Sequence, residues 1–496
     1  MLDLAERLVI CSVLEADADA SSTRIEEAPG GCALVELRAD CLRAAEVEGL
    51  VRRAGRALIV TARARRDGGR FDGSEEERRE LLARALLAGA RYVDVEWGGP
   101  AAHLARGNDA ARVVLSQHGA PCASAALLPL LDDMAHASTG PLKIVPHARS
   151  PVEARALRDV LGAARKHGRL LAAFATGPAG IATRILGPAW GSWATYGAAG
   201  FGAETGEGQL RAVDLLEIYD VLGIRETTRR FALVGAPVQG SPSPAMHAAG
   251  YRELGIDARY LPVQAASVAD VEPLAGEGGI LGIEGMGVTI PLKEALAARV
   301  TLEDPCARAA RAVNTVLARA DGWRGFNTDG PAALSLLRAH IEPAGARVAL
   351  AGAGGTARAI AASLLAAGSR VTFYNRDRLR AERAAREIGG GAEDLAALRG
   401  AEWEVLVQAT PLGREGEEVV PAGSLRGRAV LDVVYGTEPT PLVRAARARG
   451  IAAVDGFSLL VEQALLQFEL LAGRRPSRRT LEEAGRRWLD ARSGGK

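Results

Sequence analysis

Eight short apolar runs, evenly spaced and separated by helical patterns, constrain the first 224 residues more than any other feature of this chain. They lie at residues 8–13, 33–38, 57–62, 91–96, 112–117, 142–146, 170–175 and 193–197. Most lack polar alternation, as expected of parallel strands covered on both faces. Ser74 opens a capping box with Glu77 ahead of Leu81, Leu82, Ala85 and Leu86. Ser150-Pro151-Val152-Glu153 reads as a second box, for a helix that stops at Gly168. Eight strand–helix units in about 220 residues match the size of a (β/α)8 barrel, where functional groups gather at the C-terminal strand ends. A doubly wound sheet competes, but the even spacing favours closure.

Charge narrows the function classes. The chain of 496 residues carries 61 basic and 60 acidic side chains, and no long block of one sign. This argues against nucleic acid or a membrane surface as partner and for small-molecule chemistry. The first residues carry no secretion signal, no stretch reaches the length of a membrane span, and the expected location is cytoplasmic. Cys11, Cys32, Cys41, Cys122 and Cys306 show no metal-binding spacing, so we expect reduced, buried thiols and no metal.

Only four of the 61 basic residues are lysine: Lys143, Lys166, Lys293 and Lys496. Where a plain positive charge suffices this chain uses arginine, so a retained lysine marks a place for an amine that can lose its proton. Lys496 is terminal, and Lys166 sits in the last turn of a helix, where a cation suits the dipole. Lys143 and Lys293 have no such explanation.

Lys143 lies between Leu142 and Ile144 in the sixth apolar run, where burial favours the neutral amine that attacks carbonyls. His118 ends the fifth run and suits proton transfer, with Asp67 as its orienting partner. Alone, His118 reads more often as a hydrogen-bonded structural histidine, and Lys143 equally as a snorkelling surface lysine. At neighbouring strand ends they suggest a Schiff-base enzyme with a general acid/base, a description that also fits a class I aldolase.

A short charged join near Ile224–Arg230 leads to a second α/β unit that begins with the strand Phe231–Gly235. A third begins with the strand Arg347–Ala351, and the last forty residues read as two helices. The expected divisions are 1–224, 229–330, 331–455 and 456–496. In the third unit an apolar strand runs into Gly352-Ala353-Gly354-Gly355-Thr356-Ala357 and then a helix, the arrangement that seats a dinucleotide pyrophosphate. The next strand ends at Asn375-Arg376-Asp377, with Arg380 following. Arg376 and Arg380 favour the 2′-phosphate of NADP, while Asp377 pulls toward NAD. Upstream, Lys293 and Asp329 would supply a proton to a carbonyl being reduced.

The motifs Glu36-Leu37-Arg38-Ala39-Asp40, Thr61-Ala62-Arg63 through Gly69, Ser116-Gln117-His118, Lys143, Thr183-Arg184 and Gly202 through Gln209 resemble type I 3-dehydroquinate dehydratase over about residues 7–222. The resemblance implies that Lys143 forms an imine with the substrate ketone and His118 moves the proton. It implies too that Arg184 holds the carboxylate, while Glu36, Arg38, Arg63, Thr205 and Gln209 contact the ring substituents. Asp67 replaces the family's Glu, Thr205 its Ser, and Gly206-Glu207 its Ala-Pro.

The segments Gly235 through Pro244, Gly287 through Lys293, Ala312 through Thr315, Gly325 through Gly330, the glycine-rich turn, Val434-Tyr435 and Glu462 through Ala464 resemble shikimate dehydrogenase over about residues 230–490. This implies a substrate domain, a Rossmann NADP-binding domain and terminal helices that return to the substrate domain. Lys293 and Asp329 would be catalytic, Ser241 and Ser243 would bind carboxylate, and Thr289, Asn314, Tyr435 and Gln463 would line the substrate site. Gly287 and Gln408 replace Asn, Arg414 replaces Met and Asp377 replaces Thr. Together the resemblances imply a fused enzyme making 3-dehydroshikimate from 3-dehydroquinate and shikimate from that with NADPH. An NAD-dependent quinate dehydrogenase in the second half, or a non-catalytic metabolite-binding regulator, are the alternatives.

Overall fold

A computed structural model describes residues 7–106, 109–276, 278–413 and 416–494. Lys496 and Arg414 lie outside the described residues. The chain forms two compact units, one of Met1–Thr228 and one of Arg229–Gly494 without the stretch Leu261–Ala265.

In the first unit eight parallel strands run in the order β7-β6-β5-β4-β3-β2-β1-β8. They are β1 Leu8–Val13, β2 Leu34–Arg38, β3 Leu58–Thr61, β4 Tyr92–Glu96, β5 Val113–Pro121, β6 Leu142–His147, β7 Leu171–Ala173 and β8 Ala194–Ala198. β7 spans only three residues, so the seam between β7 and β8 is thin. There Trp193 N donates to Leu171 O at 3.2 Å, and Ser192 Oγ accepts from Ala173 N while donating to Ala194 O. The result is a nearly closed eight-stranded barrel.

Side-chain alternation decides what fills it. Leu8, Ile10, Leu34, Ile59, Tyr92, Val114, Val145, Ala172, Phe174 and Tyr196 belong to one buried cluster. The same strand faces continue toward the C-terminal ends as Ser12, Glu36, Arg38, Thr61, Arg63, Asp94, Glu96, Ser116 and His118. An apolar floor thus carries a polar rim.

Two local expectations need correction. The Ser74–Glu77 box forms as expected. At Ser150, however, Oγ accepts from Val152 N, Glu153 accepts from Arg149 N, and a 3-10 turn precedes the helix Ala154–Lys166. Pro151 at the first turn favours that tighter start. All five thiols are free, but Cys41 is exposed because it follows β2 into a surface loop.

The chain after Thr228 holds two sheets. One runs β10-β9-β11-β13-β14-β12, with β9 Arg229–Gly235, β10 Ala258–Gln264, β11 Gly285–Val288, β12 Thr301–Leu302, β13 Thr315–Arg319 and β14 Gly322–Phe326. Phe468 and Leu471 of the helix Gly456–Ala472 pack with Phe231, Leu233, Tyr251 and Tyr260 of this region. The helix Arg478–Ser493 adds Leu481 and Leu489 beside Met246 and Phe457. The other sheet is wholly parallel, in the order β17-β16-β15-β18-β19-β20. Its strands are β15 Arg347–Ala351, β16 Arg370–Asn375, β17 Gly391–Asp394, β18 Val405–Gln408, β19 Ala429–Asp432 and β20 Ala452–Val454. That order reverses direction between β15 and β18, which is where doubly wound sheets bind dinucleotides. No described helix is long and apolar enough to cross a membrane.

Candidate active sites

Lys143 enters the barrel from the inner face of β6, while Leu142 and Ile144 face the helices. Its Nζ lies 3.3 Å from Glu36 Oε1, 3.1 Å from Asp94 Oδ2 and 4.0 Å above the Tyr196 ring. The expectation of a buried amine was drawn from its strand neighbours, Leu142 and Ile144, and named neither carboxylate as its partner. The strand is apolar, but alternation turns the lysine into the polar rim, where two carboxylates meet it. Glu36 also accepts from Ser12 Oγ at 2.7 Å and Thr61 Oγ1 at 3.0 Å. Asp94 accepts from Ser116 Oγ at 2.6 Å and Arg63 Nη2 at 3.0 Å. Burial opposes ionisation of both carboxylates, yet Lys143 and the arginines outweigh it and hold both below the usual carboxylate range.

His118 Nε2 is buried and without a hydrogen-bond partner. Burial, with Arg63 and Lys143 nearby, pushes the imidazole well below its ordinary pKa, so it is neutral at neutral pH. Asp67 ends a 3-10 turn, and its Oδ2 is likewise buried and makes no hydrogen bond. No hydrogen bond therefore joins these two atoms, against the expected orienting pair. Asp67 is one methylene shorter than the glutamate of the resemblance and lies 3.4 Å from Arg66 Nε instead.

Arg38 is bidentate to Asp40 at 3.1 and 2.7 Å, and Asp40 also accepts from the backbone of Arg63 and Arg70. Arg184 differs from these paired cations. It is 2% exposed, its Nε has no partner, and Nη2 reaches only Glu207 O at 3.4 Å. Its guanidinium lies 4.6 Å from the Phe174 ring centroid, and burial lowers its pKa to about 9, still charged at neutral pH. A buried cation without an anion suits the binding of one. Gln209 is held by Thr205, whose N and Oγ1 donate to Oε1 at 2.7 and 3.1 Å.

Asp94 and Glu96 escaped the sequence reading. Their signal was present: two acids at alternate positions of a buried strand, the same anomaly that singled out Lys143. Glu96 anchors the fully buried Arg78, which also pairs with Glu75.

In the second unit Lys293 Nζ donates to Asp329 Oδ2 at 2.5 Å and to Thr356 Oγ1 at 2.8 Å. Thr356 closes the triangle by donating to Asp329 Oδ2 at 3.0 Å. Asn314 Nδ2 donates to Asp329 Oδ1 at 2.7 Å, with Gln463 Oε1 at 3.4 Å. Thr328 Oγ1 donates to Gln463 O at 3.1 Å. Ser241 and Ser243 hydroxyls bond each other at 3.0 Å. Thr289 is half-buried at the end of β11, and Tyr435 is half-buried against the cluster of Met246 and Phe457. The Thr356 hydroxyl thus lies on the lysine–aspartate pair while its backbone stays in the first turn of the helix Gly355–Ala366, and Thr328 is an unanticipated member of the cluster.

Two departures find physical reasons. A Cβ at Gly287 would lie 2.2 Å from Tyr260 Oη and 2.8 Å from Gln467 Oε1, so these side chains occupy the space an asparagine would need. Tyr260 Oη donates to Gln467 Oε1 at 2.9 Å. Gln408 ties down the turn after β18, donating to Thr410 O and Leu412 O while its Oε1 accepts from Thr410.

The glycine-rich turn is shaped for a phosphate chain. Gly352 has φ +114°, and a Cβ there would lie 2.6 Å from Ala409 O. The helix Gly355–Ala366 starts without a side-chain cap, leaving its first N–H groups for an anion. A Cβ at Gly355 would lie 2.8 Å from Lys293 Cβ, and one at Gly354 would lie 3.7 Å from Arg380 Nη2. Arg376 is exposed, and Asn375 Oδ1 accepts from Asp377 N at 3.4 Å. Asp377 caps the helix Arg378–Ile388, its Oδ1 accepting from Arg380 N at 3.1 Å. These residues fit a dinucleotide.

Residues 9–226 match the type I 3-dehydroquinase family, and residues 233–316 match the shikimate dehydrogenase substrate binding domain. The chain is 40% identical over 262 residues to the shikimate dehydrogenase (NADP(+)) of Anaeromyxobacter sp. (strain Fw109-5), covering 50% of this chain and 92% of the relative. Shikimate 5-dehydrogenase from Thermus thermophilus, solved with NADP(H) and shikimate, is 36% identical with a TM-score of 0.46, covering 53% of this chain and 100% of that one. The dehydroquinate dehydratase and shikimate dehydrogenase from S. pombe AroM is 23% identical with a TM-score of 0.43, covering 97% of this chain and 98% of that one. The chain belongs to the shikimate dehydrogenase family and carries a type I 3-dehydroquinase domain ahead of its dehydrogenase half.

Proposed function

We propose that the chain catalyses two consecutive steps, dehydrating 3-dehydroquinate to 3-dehydroshikimate in the barrel and reducing that ketone to shikimate with NADPH in the second unit. The observation that carries this reading is that each unit places one lysine inside a polar cluster suited to a ketone, Lys143 beside His118 and Lys293 on Asp329.

In the barrel, Lys143 Nζ adds to the ketone carbon, and loss of water gives the imine. The adjacent C–H is acidified, and neutral His118 takes its proton. The ring hydroxyl then leaves with a proton as water, and hydrolysis of the imine frees the lysine. Arg184 holds the substrate carboxylate, while Glu36, Arg38, Arg63, Thr205 and Gln209 fix the ring hydroxyls. Asp67 takes, on the resemblance, the part of the carboxylate that orients His118 once substrate is bound.

In the second unit, Ser241 and Ser243 bind carboxylate, and Thr289, Asn314, Tyr435 and Gln463 contact the ring. Gly352, Ala353, Gly354, Gly355, Thr356 and Ala357 take the pyrophosphate through the backbone of the turn, and Asn375, Arg376 and Arg380 the adenosine end. NADPH, when bound, supplies the hydride. Lys293 gives the carbonyl oxygen its proton, with Asp329 and Thr356 holding the amine in place.

The test is direct. Purified chain given 3-dehydroquinate and NADPH should consume absorbance at 340 nm and accumulate shikimate. Failure to form shikimate, or oxidation of quinate in preference to shikimate, would overturn the proposal.

Cofactor choice follows from the residues after β16. Asp377 spends its carboxylate on the helix terminus, so its repulsion of a 2′-phosphate is offset by the backbone it caps. NADP should be preferred over NAD by roughly tenfold to a hundredfold in kcat/KM, from charge-assisted bonds to Arg376 and Arg380. Arg376→Ala should raise KM for NADP about tenfold and leave NAD use nearly unchanged. Equal losses with both cofactors would show that Arg376 does not read the phosphate.

A further inference from the structure

Tyr196 of β8 is 2% exposed, and its Oη is buried without a hydrogen-bond partner. The ring itself is fully used. It packs 5.5 Å from Phe174, lies beneath Lys143 Nζ at 4.0 Å, and belongs to the barrel's apolar cluster. Phenylalanine would fill the same space, so packing does not explain the oxygen. Removing an unbonded hydroxyl from a buried site is ordinarily neutral or stabilising, so its retention calls for a partner that comes and goes.

The hydroxyl belongs to the reaction chamber. Burial, then the Glu36 and Asp94 carboxylates, push the phenol well above its usual pKa, so it remains a donor at any working pH. The two carboxylates that meet Lys143 are already engaged. Glu36 accepts from Ser12, Thr61 and Lys143, and Asp94 from Ser116, Arg63 and Lys143. The missing acceptor therefore arrives with the ligand. A ketone bound to Lys143 stands over this ring and carries several oxygens.

We infer that Tyr196 is a substrate-binding residue of the dehydratase, its Oη donating a hydrogen bond to an oxygen of the 3-dehydroquinate ring held at Lys143. The inference rests on the dehydratase reading of the barrel. It makes Tyr196 a specificity device as well, because a site that hydrogen-bonds a substrate oxygen rejects an analogue lacking it.

Tyr196→Phe removes the oxygen and nothing else. In the full-length protein the variant should have an unchanged or higher Tm. Its kcat/KM for 3-dehydroquinate should fall about tenfold or more, chiefly through KM, while shikimate oxidation is untouched. Borohydride should still trap substrate on Lys143 at saturating concentration. A lower Tm with unchanged KM would make the hydroxyl structural and overturn the inference. A variant equal to the parent in both would overturn it too. A parent chain that does not dehydrate 3-dehydroquinate would instead sink the reading of the barrel and this inference with it.

Discussion

Lys143→Arg is expected to leave the barrel folded and to lower dehydration of 3-dehydroquinate on the order of 10⁴-fold. The charge survives between Glu36 and Asp94, but guanidinium cannot form the imine. Lys143→Ala is the poorer experiment. It leaves two carboxylates buried together without the cation they share, and losing one partner of a buried ion pair costs about 3–5 kcal/mol. Borohydride treatment of the parent with substrate should add the ligand's mass to the peptide containing Lys143, and Lys143→Arg should abolish that adduct. An adduct elsewhere, or an active arginine variant, would exclude the Schiff-base route. Shikimate oxidation should be nearly unchanged in Lys143→Arg, since Lys293 and Asp329 lie in the other compact unit.

Asp329→Asn should lower kcat for shikimate oxidation by about 10²–10³-fold, with KM changing much less. The amide can still accept from Asn314 Nδ2, so the local scaffold persists. What disappears is the charge that fixes Lys293 Nζ at 2.5 Å. Steady-state kinetics with shikimate and NADP, alongside the barrel's own turnover as internal control, checks this. Retention of kcat within about threefold would remove Asp329 from the proton-transfer machinery.

Much of this was legible in the sequence because strand burial leaves a direct trace. Short, mostly apolar runs located all eight barrel strands, and the scarcity of lysine singled out Lys143 and Lys293. The remainder depends on contacts that alternation along one strand does not specify. Lys143 was read against its sequence neighbours, Leu142 and Ile144, whereas its real surroundings come from β2, β4 and β8. Asp94 and Tyr196 were passed over for the same reason, since nothing local says which inner residues meet across a barrel. Thr356 was assigned by its place in a phosphate-binding motif. Its hydroxyl is instead claimed by Lys293, because Gly355 lets the turn approach that lysine closely. Asp377 looked like a cofactor-reading acid, and only the start of the following helix explains where its carboxylate is directed.

The fit of Tyr260 over Gly287 carries an evolutionary consequence. Neither position can drift independently: asparagine introduced at 287 meets the phenol oxygen and Gln467. Shortening Tyr260 first would strip Gln467 of its hydroxyl donor and leave a void beside His247, whose ring stacks 3.9 Å from that of Tyr260. Either single exchange thus meets a clash or opens a void. The two positions are coupled through space, and a side chain at 287 requires a matching change at Tyr260.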